Sequence, residues 1–189
     1  MNVTRIVIIG LLFTFAGVSS AWAADYVIDT EKAHASIDFR FKHLNISWLS
    51  GEFKEFDGRF SFDETNPAAT RIEVNINTAS IDSNHAERDK HMRSKKFLDT
   101  GKYPAAKFVS TRVEANGDSS ATIFGDLTLH GVTREVAIEA TIIGAGADPW
   151  GGYRAGFEGS VTLNTTDFGM KFPPSNEVEM SLYIEGVRK

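Results

Sequence analysis

The feature that most constrains this chain is a period-two alternation of apolar and polar side chains, repeated along nearly its whole length. Ile37, Phe39 and Phe41 alternate with Asp38, Arg40 and Lys42, and Phe56, Gly58, Phe60 and Phe62 with Asp57, Arg59, Ser61 and Asp63. Ile72, Val74 and Ile76 stand against Arg71, Glu73 and Asn75, and a further apolar segment covers residues 108–113. Ile123, Leu127 and Leu129 follow against Phe124, Asp126 and Thr128, then Val136, Ile138, Ala140 and Ile142 against Glu135, Ala137, Glu139 and Thr141. Phe157, Val161 and Leu163, and finally Val178, Met180, Leu182 and Ile184, repeat the pattern. In a strand, successive side chains point to opposite faces, so each segment buries one face and wets the other. This is an all-β chain of about eight antiparallel strands joined by short connections. A closed barrel or a sandwich fits; an α/β fold does not.

Two interruptions carry information. Phe53 is out of phase with Phe56, and a bulge near Lys54-Glu55 would restore the phase and bend the strand. Residues 84–98 break the alternation altogether. Asn84 with Glu87 has the spacing of a helix capping box, and Asp89 with Arg93 is an acid-to-base pair four apart, so a short helix is expected here. It gathers Arg88, Lys90, Arg93, Lys95 and Lys96 with His85 and His91.

Residues 1–23 read as a secretory signal peptide: Arg5, an apolar run too short to span a bilayer, and Ala21-Trp22-Ala23 as the cleavage site. The mature domain would then be residues 24–189, with no second apolar run to insert it stably in a membrane. Losing Arg5 takes the formal net charge from -5 to -6, which argues against a nucleic-acid partner. With 0 cysteines, no disulfide framework and no thiol nucleophile exist, and the core alone must hold the fold.

Whether that core is solid is open to the pattern alone. Phe39, Phe41, Phe60, Phe62 and Phe157 bring large faces to one interior, while Gly58, Gly125 and Gly159 leave room on the same side; interdigitation of large and small side chains gives the same sequence. The histidines do not make a metal site by spacing, because His85 and His91 lie about 240° apart around a helix. Asp82, Ser83 and His85 have the residue types of a hydrolytic triad but are too close in sequence for its geometry, and no nucleophile-elbow motif is present. No cofactor is implied. The cations of residues 84–98 have two readings, a solvated helix face or an anion site in which His85, Arg88, His91 and Arg93 hold a polar head.

Ordered blocks along the chain resemble the YceI family of bacterial periplasmic proteins. They are Tyr26-Val27-Ile28-Asp29 with His34; Gly51-Glu52-Phe53 through Phe56-Asp57-Gly58 to Phe62-Asp63; and Asn84-His85-Ala86-Glu87-Arg88-Asp89-Lys90-His91. Phe97-Leu98, Tyr103-Pro104, Gly125 through Thr133, and Pro149-Trp150-Gly151-Gly152-Tyr153-Arg154 through Phe157 complete them. The resemblance implies an eight-stranded antiparallel lipocalin-like barrel with one short helical insertion, around an apolar cavity for polyisoprenoid or other long-chain lipids. The expected function is a periplasmic, non-enzymatic carrier; a homodimer is compatible with it. By parity, Ile37, Phe39, Phe41, Phe60, Phe62, Val74, Ile76, Leu127, Leu129, Phe157, Val161 and Leu163 would line the cavity, with His85, Arg88, His91 and Arg93 at the head group. Two other classes predict different features. An envelope scaffold would have a side-chain-filled barrel and an exposed apolar patch, and an enzyme acting on a lipid head would carry a perturbed His85, His91 or Asp89 at the mouth.

Overall fold

The alternating segments pair, mostly with their sequence neighbours, into one antiparallel sheet that curls until its ends meet. The computed structural model describes residues 23–189 apart from 118, 173 and 174, so the expected leader lies outside the described residues save for its last one. In chain order the elements are β1 (Ala24–Ile28), β2 (Ser36–His43), β3 (Ser47–Phe53), β4 (Phe56–Phe62), β5 (Arg71–Asn77) and β6 (Ile81–Asp82). The helix α1 (Ala86–Arg93) follows, then β7 (Ala105–Ala115), β8 (Ser120–Leu129), β9 (Val132–Ala147), β10 (Tyr153–Asn164) and β11 (Glu177–Arg188). The order β1-β4-β5-β7-β8-β9-β10-β11 is closed by β11 pairing back onto β1, a ring of eight strands. Closure decides for the barrel over the sandwich.

The closing register is Tyr26↔Arg188, Val27↔Val187 and Ile28↔Gly186. Farther along, the same edge of β11 takes β2, from Tyr183↔Ser36 to Val178↔Phe41. β1 and β2 are therefore two pieces of one stave. β3 and β4 form the next, broken at the expected place: Lys54 and Glu55 leave the strand, and Phe53 and Phe56 both keep their rings inside. The stave beyond it breaks alongside, at the 3-10 turn Thr78–Ser80, with Lys54 N donating to the Ser80 carbonyl at 3.2 Å and Asn77 N to that of Glu55 at 2.9 Å. A paired break bends both staves together and keeps their backbone groups bonded.

Two apolar clusters fill the interior. One joins Tyr26, Ile28, Phe60, Phe62 and Ala155, with Tyr26 stacked on Phe60 at 4.8 Å and Phe157 edge-on to Phe60 at 5.3 Å. The other, towards α1, joins Phe39, Ile81, Met92, Leu98, Phe168 and Met170. Full burial of side chains this size is worth about 1.5–3 kcal/mol each. The room expected at two glycines is occupied: a Cβ at Gly58 would stand 2.6 Å from Ile28 Cδ1, and one at Gly125 would collide with the Phe108 ring. These two glycines seat neighbouring side chains, whereas Gly159, where a Cβ would lie 3.1 Å from Ile138 Cγ2, also lines the cavity described below.

Candidate apolar binding cavity

The two clusters do not meet completely, and between them lies a cavity of about 230 Å³. Eleven of the twelve residues expected to line it do face it: Ile37, Phe39, Phe41, Phe60, Val74, Ile76, Leu127, Leu129, Phe157, Val161 and Leu163. Phe62 does not. Its ring stands edge-on to Phe157 at 5.1 Å and borders a separate void of about 40 Å³, because the strand carries it past the packed layer that floors the main cavity. The sequence reading missed two groups of lining residues. Ile138, Leu182 and Ile184 share the parity of their segments and were legible in the alternation. Ile81, Met92 and Leu98 come from the helix region, where no period-two pattern marks an inward side; Phe168, Met170 and Phe172 follow β10 at a spacing of two and were legible as an alternation.

The chemistry of the wall is uniform. Thr70, Glu158 and Thr165 contribute to it, but no polar atom of theirs reaches the cavity surface. Such a space favours hydrocarbon and offers water no partners. An apolar cavity of about 150 Å³ is enough for benzene, or about 25 Å³ per carbon, so this one holds about nine carbons.

Met92 of the helix and Leu98 just after it wall one end of the cavity, and the cations of the helix hold it there. Arg93 Nε donates to the Ala79 carbonyl at 2.7 Å, and its Nη2 to that of Ile81. Arg88 Nε donates to Ser83 Oγ at 2.7 Å and Nη2 to the Ser83 carbonyl at 2.6 Å. Buried Asp89 accepts from the Ser83 amide at 2.9 Å and from its hydroxyl, so the expected Asp89–Arg93 pair is replaced by anchors to the preceding segment. The cap also differs from expectation. His85 is the N-cap, its Nδ1 accepting from Arg88 N at 3.2 Å, while Asn84 takes a left-handed conformation one residue before it (φ 58°). The four head-group candidates thus have distinct jobs. Arg88 and Arg93 each give Nε and Nη2 to the fold, and His85 caps the helix. The His91 ring makes no hydrogen bond to the described residues; it stands edge-on to Phe97 at 4.7 Å, and Phe97 packs at 4.4 Å on Phe172 of the cavity wall.

A second polar cluster, which the spacing of its residues in the sequence does not reveal, gathers around Arg154. Arg154 on β10 donates from Nη1 to Asp29 Oδ2 at 2.7 Å and to Glu185, and from Nε to Asp148 Oδ2 at 2.9 Å; His34 Nδ1 lies 3.1 Å from Asp29. The guanidinium holds the Asp29 carboxyl below the ordinary aspartate range. Asp148 is held low by the Gly152 amide and by Arg154. Asp29, His34 and Glu185 offer atoms within 4.8 Å of one another, a metal-like spacing. Arg154 already supplies the positive charge between these carboxylates, and the cluster ties the β9–β10 turn to the connection between β1 and β2.

Comparison with known proteins places this architecture. Residues 26–186 match the model of the YceI-like domain. The chain belongs to the YceI-like family. Its relatives include a UPF0312 protein of Pseudomonas paraeruginosa, 59% identical over 181 residues covering 94% of this chain and 93% of that one. Among solved structures, the YceI protein of Campylobacter jejuni superposes with a TM-score of 0.71 at 26% identity, covering 79% of this chain and 90% of its own. BcnA of Burkholderia cenocepacia shares the fold, with a TM-score of 0.74 at 22% identity over 84% and 98% of the two chains. So does a polyisoprenoid binding domain from Saccharophagus degradans, at 0.65, 12% identity and 89% and 100% coverage. The Asp29, His34 and Arg154 network joins two of the blocks that carry the YceI-like resemblance, far apart in sequence. Among the described residues no helix is long and apolar enough to cross a membrane.

Proposed function

We propose that this YceI-like barrel is a carrier that takes about nine carbons of the hydrocarbon tail of an isoprenoid or similar long-chain lipid into its cavity, in the periplasm after cleavage of residues 1–23. The observation that carries the reading is the apolar cavity of about 230 Å³, whose surface no polar atom reaches. A space of that kind in a fold otherwise packed by aromatic rings is unfavourable to keep empty and favourable to fill with carbon. The polyisoprenoid binding domain of Saccharophagus degradans, which shares the barrel, is in keeping with that ligand class. The same wall disfavours catalysis on a held tail, since it gives a general acid or base no place beside the ligand. A polar head would stay outside, at the α1 end, where His91, Phe97 and Phe172 lead from solvent to the cavity wall.

Native mass spectrometry of protein purified from the periplasm, followed by organic extraction, tests this. A stoichiometric isoprenoid or other long-chain lipid is the expected result. A clean apo mass, with no uptake of offered prenyl alcohols or quinones, would overturn the reading.

A further inference from the structure

The hairpin between β2 and β3 is the reverse of the cavity: it puts apolar side chains into water. Leu44, Ile46 and Trp48 are 58%, 82% and 45% exposed. β2 leaves the edge of β11 after Phe41↔Val178, and β3 meets β6 only at Glu52 and Phe53. Between those points the ribbon is paired only with itself among the described residues. Its tip is the three-residue connection 44–46, in which Ile46 N donates to the His43 carbonyl at 2.9 Å. Leu44 and Asn45 both adopt left-handed angles there, φ 53° and 57°. Such turns favour asparagine and glycine, and a leucine is strained in them. Here the strain buries nothing inside the chain, which directs the side chain outward to something else.

The charges around the tip say what. Trp48 lies under Arg40 and Lys42, whose cationic atoms are 4.5 and 5.6 Å from the ring centre. Arg40 is matched by Glu179, while Lys42 has no carboxylate partner among the described residues. α1 is at the same end, since Met92 and Phe41 pack in one cluster, and it brings the exposed Lys90, Lys95 and Lys96, the first of them facing Glu87 at 3.9 Å. A chain of net charge -5 thus places Arg40 and Lys42 on the hairpin that carries Ile46, the most exposed large apolar side chain among the described residues. Apolar and indole groups beneath lysines are the arrangement that seats in a bilayer interface over anionic head groups.

We infer that the β2–β3 hairpin docks this end of the barrel on an anionic phospholipid bilayer, with Leu44 and Ile46 in the interface and Lys42, Lys95 and Lys96 over the head groups. The inference extends the carrier reading, because it presents to the membrane the α1 end of the cavity, where the polar head would stay. Its test uses no cavity ligand, so the two fail separately.

Trp48 and Trp150 are the tryptophans beyond residue 23, so Trp150→Phe leaves Trp48 as a single reporter at the hairpin. The expected result is a blue shift of Trp48 emission and co-sedimentation with phosphatidylcholine vesicles that contain phosphatidylglycerol. Both should weaken with added salt and be absent with phosphatidylcholine alone, each bound lysine contributing roughly fivefold. Leu44→Asn with Ile46→Thr should lower the partition coefficient at least tenfold. Asparagine is favoured at the turn, so the variant keeps or raises its Tm, and loss of docking cannot be loss of fold. Equal binding by the variant, equal binding to neutral vesicles, or no vesicle binding by the parent protein would each overturn the inference. So would a hairpin-dependent dimer in sedimentation velocity that leaves vesicles untouched, because a second copy would then be what covers the tip.

Discussion

Filling the cavity from its own wall should shorten the chain the protein accepts without unfolding it. Val161 faces the cavity from β10, opposite Met180 of β11, and Val161→Phe adds four carbons there. At about 25 Å³ per carbon the new ring takes about 100 Å³ and leaves room for about five carbons where about nine fitted before. Each carbon buried is worth about 0.8 kcal/mol, so a ten-carbon isoprenoid alcohol loses about 3 kcal/mol, or roughly 200-fold in affinity. A five-carbon alcohol fits both proteins and binds both alike. The measurement is isothermal titration of prenol, geraniol and farnesol into parent and variant. The parent should gain strongly from five to ten carbons and little from ten to fifteen, and the variant should level off at five. Calorimetric Tm distinguishes filled space from collision, since a ring that misses the void costs about 1–3 kcal/mol through overpacking. A variant with the parent's Tm that binds geraniol as the parent does would refute the placement of the tail in this cavity.

Two further outcomes follow from the polar clusters. Asp29 and Asp148 are both held below the ordinary aspartate value of 3.8, so the Arg154 network stabilises fully above that pH and loses its contribution as pH falls through the lower folded values. Tm should therefore drop more steeply below about pH 4 in the parent than in Arg154→Met, which removes the partner both carboxylates share; parallel profiles would sink the argument. Arg93→Lys should loosen α1, since one ammonium cannot span the carbonyls of both Ala79 and Ile81. The expected cost is about 1–3 kcal/mol in urea denaturation with faster amide exchange confined to α1 and its flanks; unchanged exchange there would show that the helix is held by Met92 and Leu98 alone.

The period-two pattern determined a good deal unaided. It set the all-β class, the strand count of the barrel, and the inward faces of Phe39, Leu127 and Val161, because side-chain direction in a strand depends only on parity. Even the irregularity at Lys54-Glu55 was legible, since two phenylalanines on one face three residues apart require an interruption. What the pattern could not carry was anything decided across the barrel. Closure rests on β1, five residues whose pairing with β11 joins the two ends of the chain. Gly58 and Gly125 read as empty space, yet Ile28 and Phe108 from other strands fill it. Phe62 has the right parity and the wrong depth, and depth along the barrel axis depends on strand tilt. The cations of α1 read as a solvated helix face or as an anion site, and only the positions of the Ala79, Ile81 and Ser83 carbonyls show that Arg88 and Arg93 anchor the helix. The network around Arg154 draws Asp29, His34, Asp148 and Glu185 from across the chain. Alternation is a local property of the chain, whereas cavities, networks and closure arise where distant staves meet, and only the tertiary structure brings those staves together.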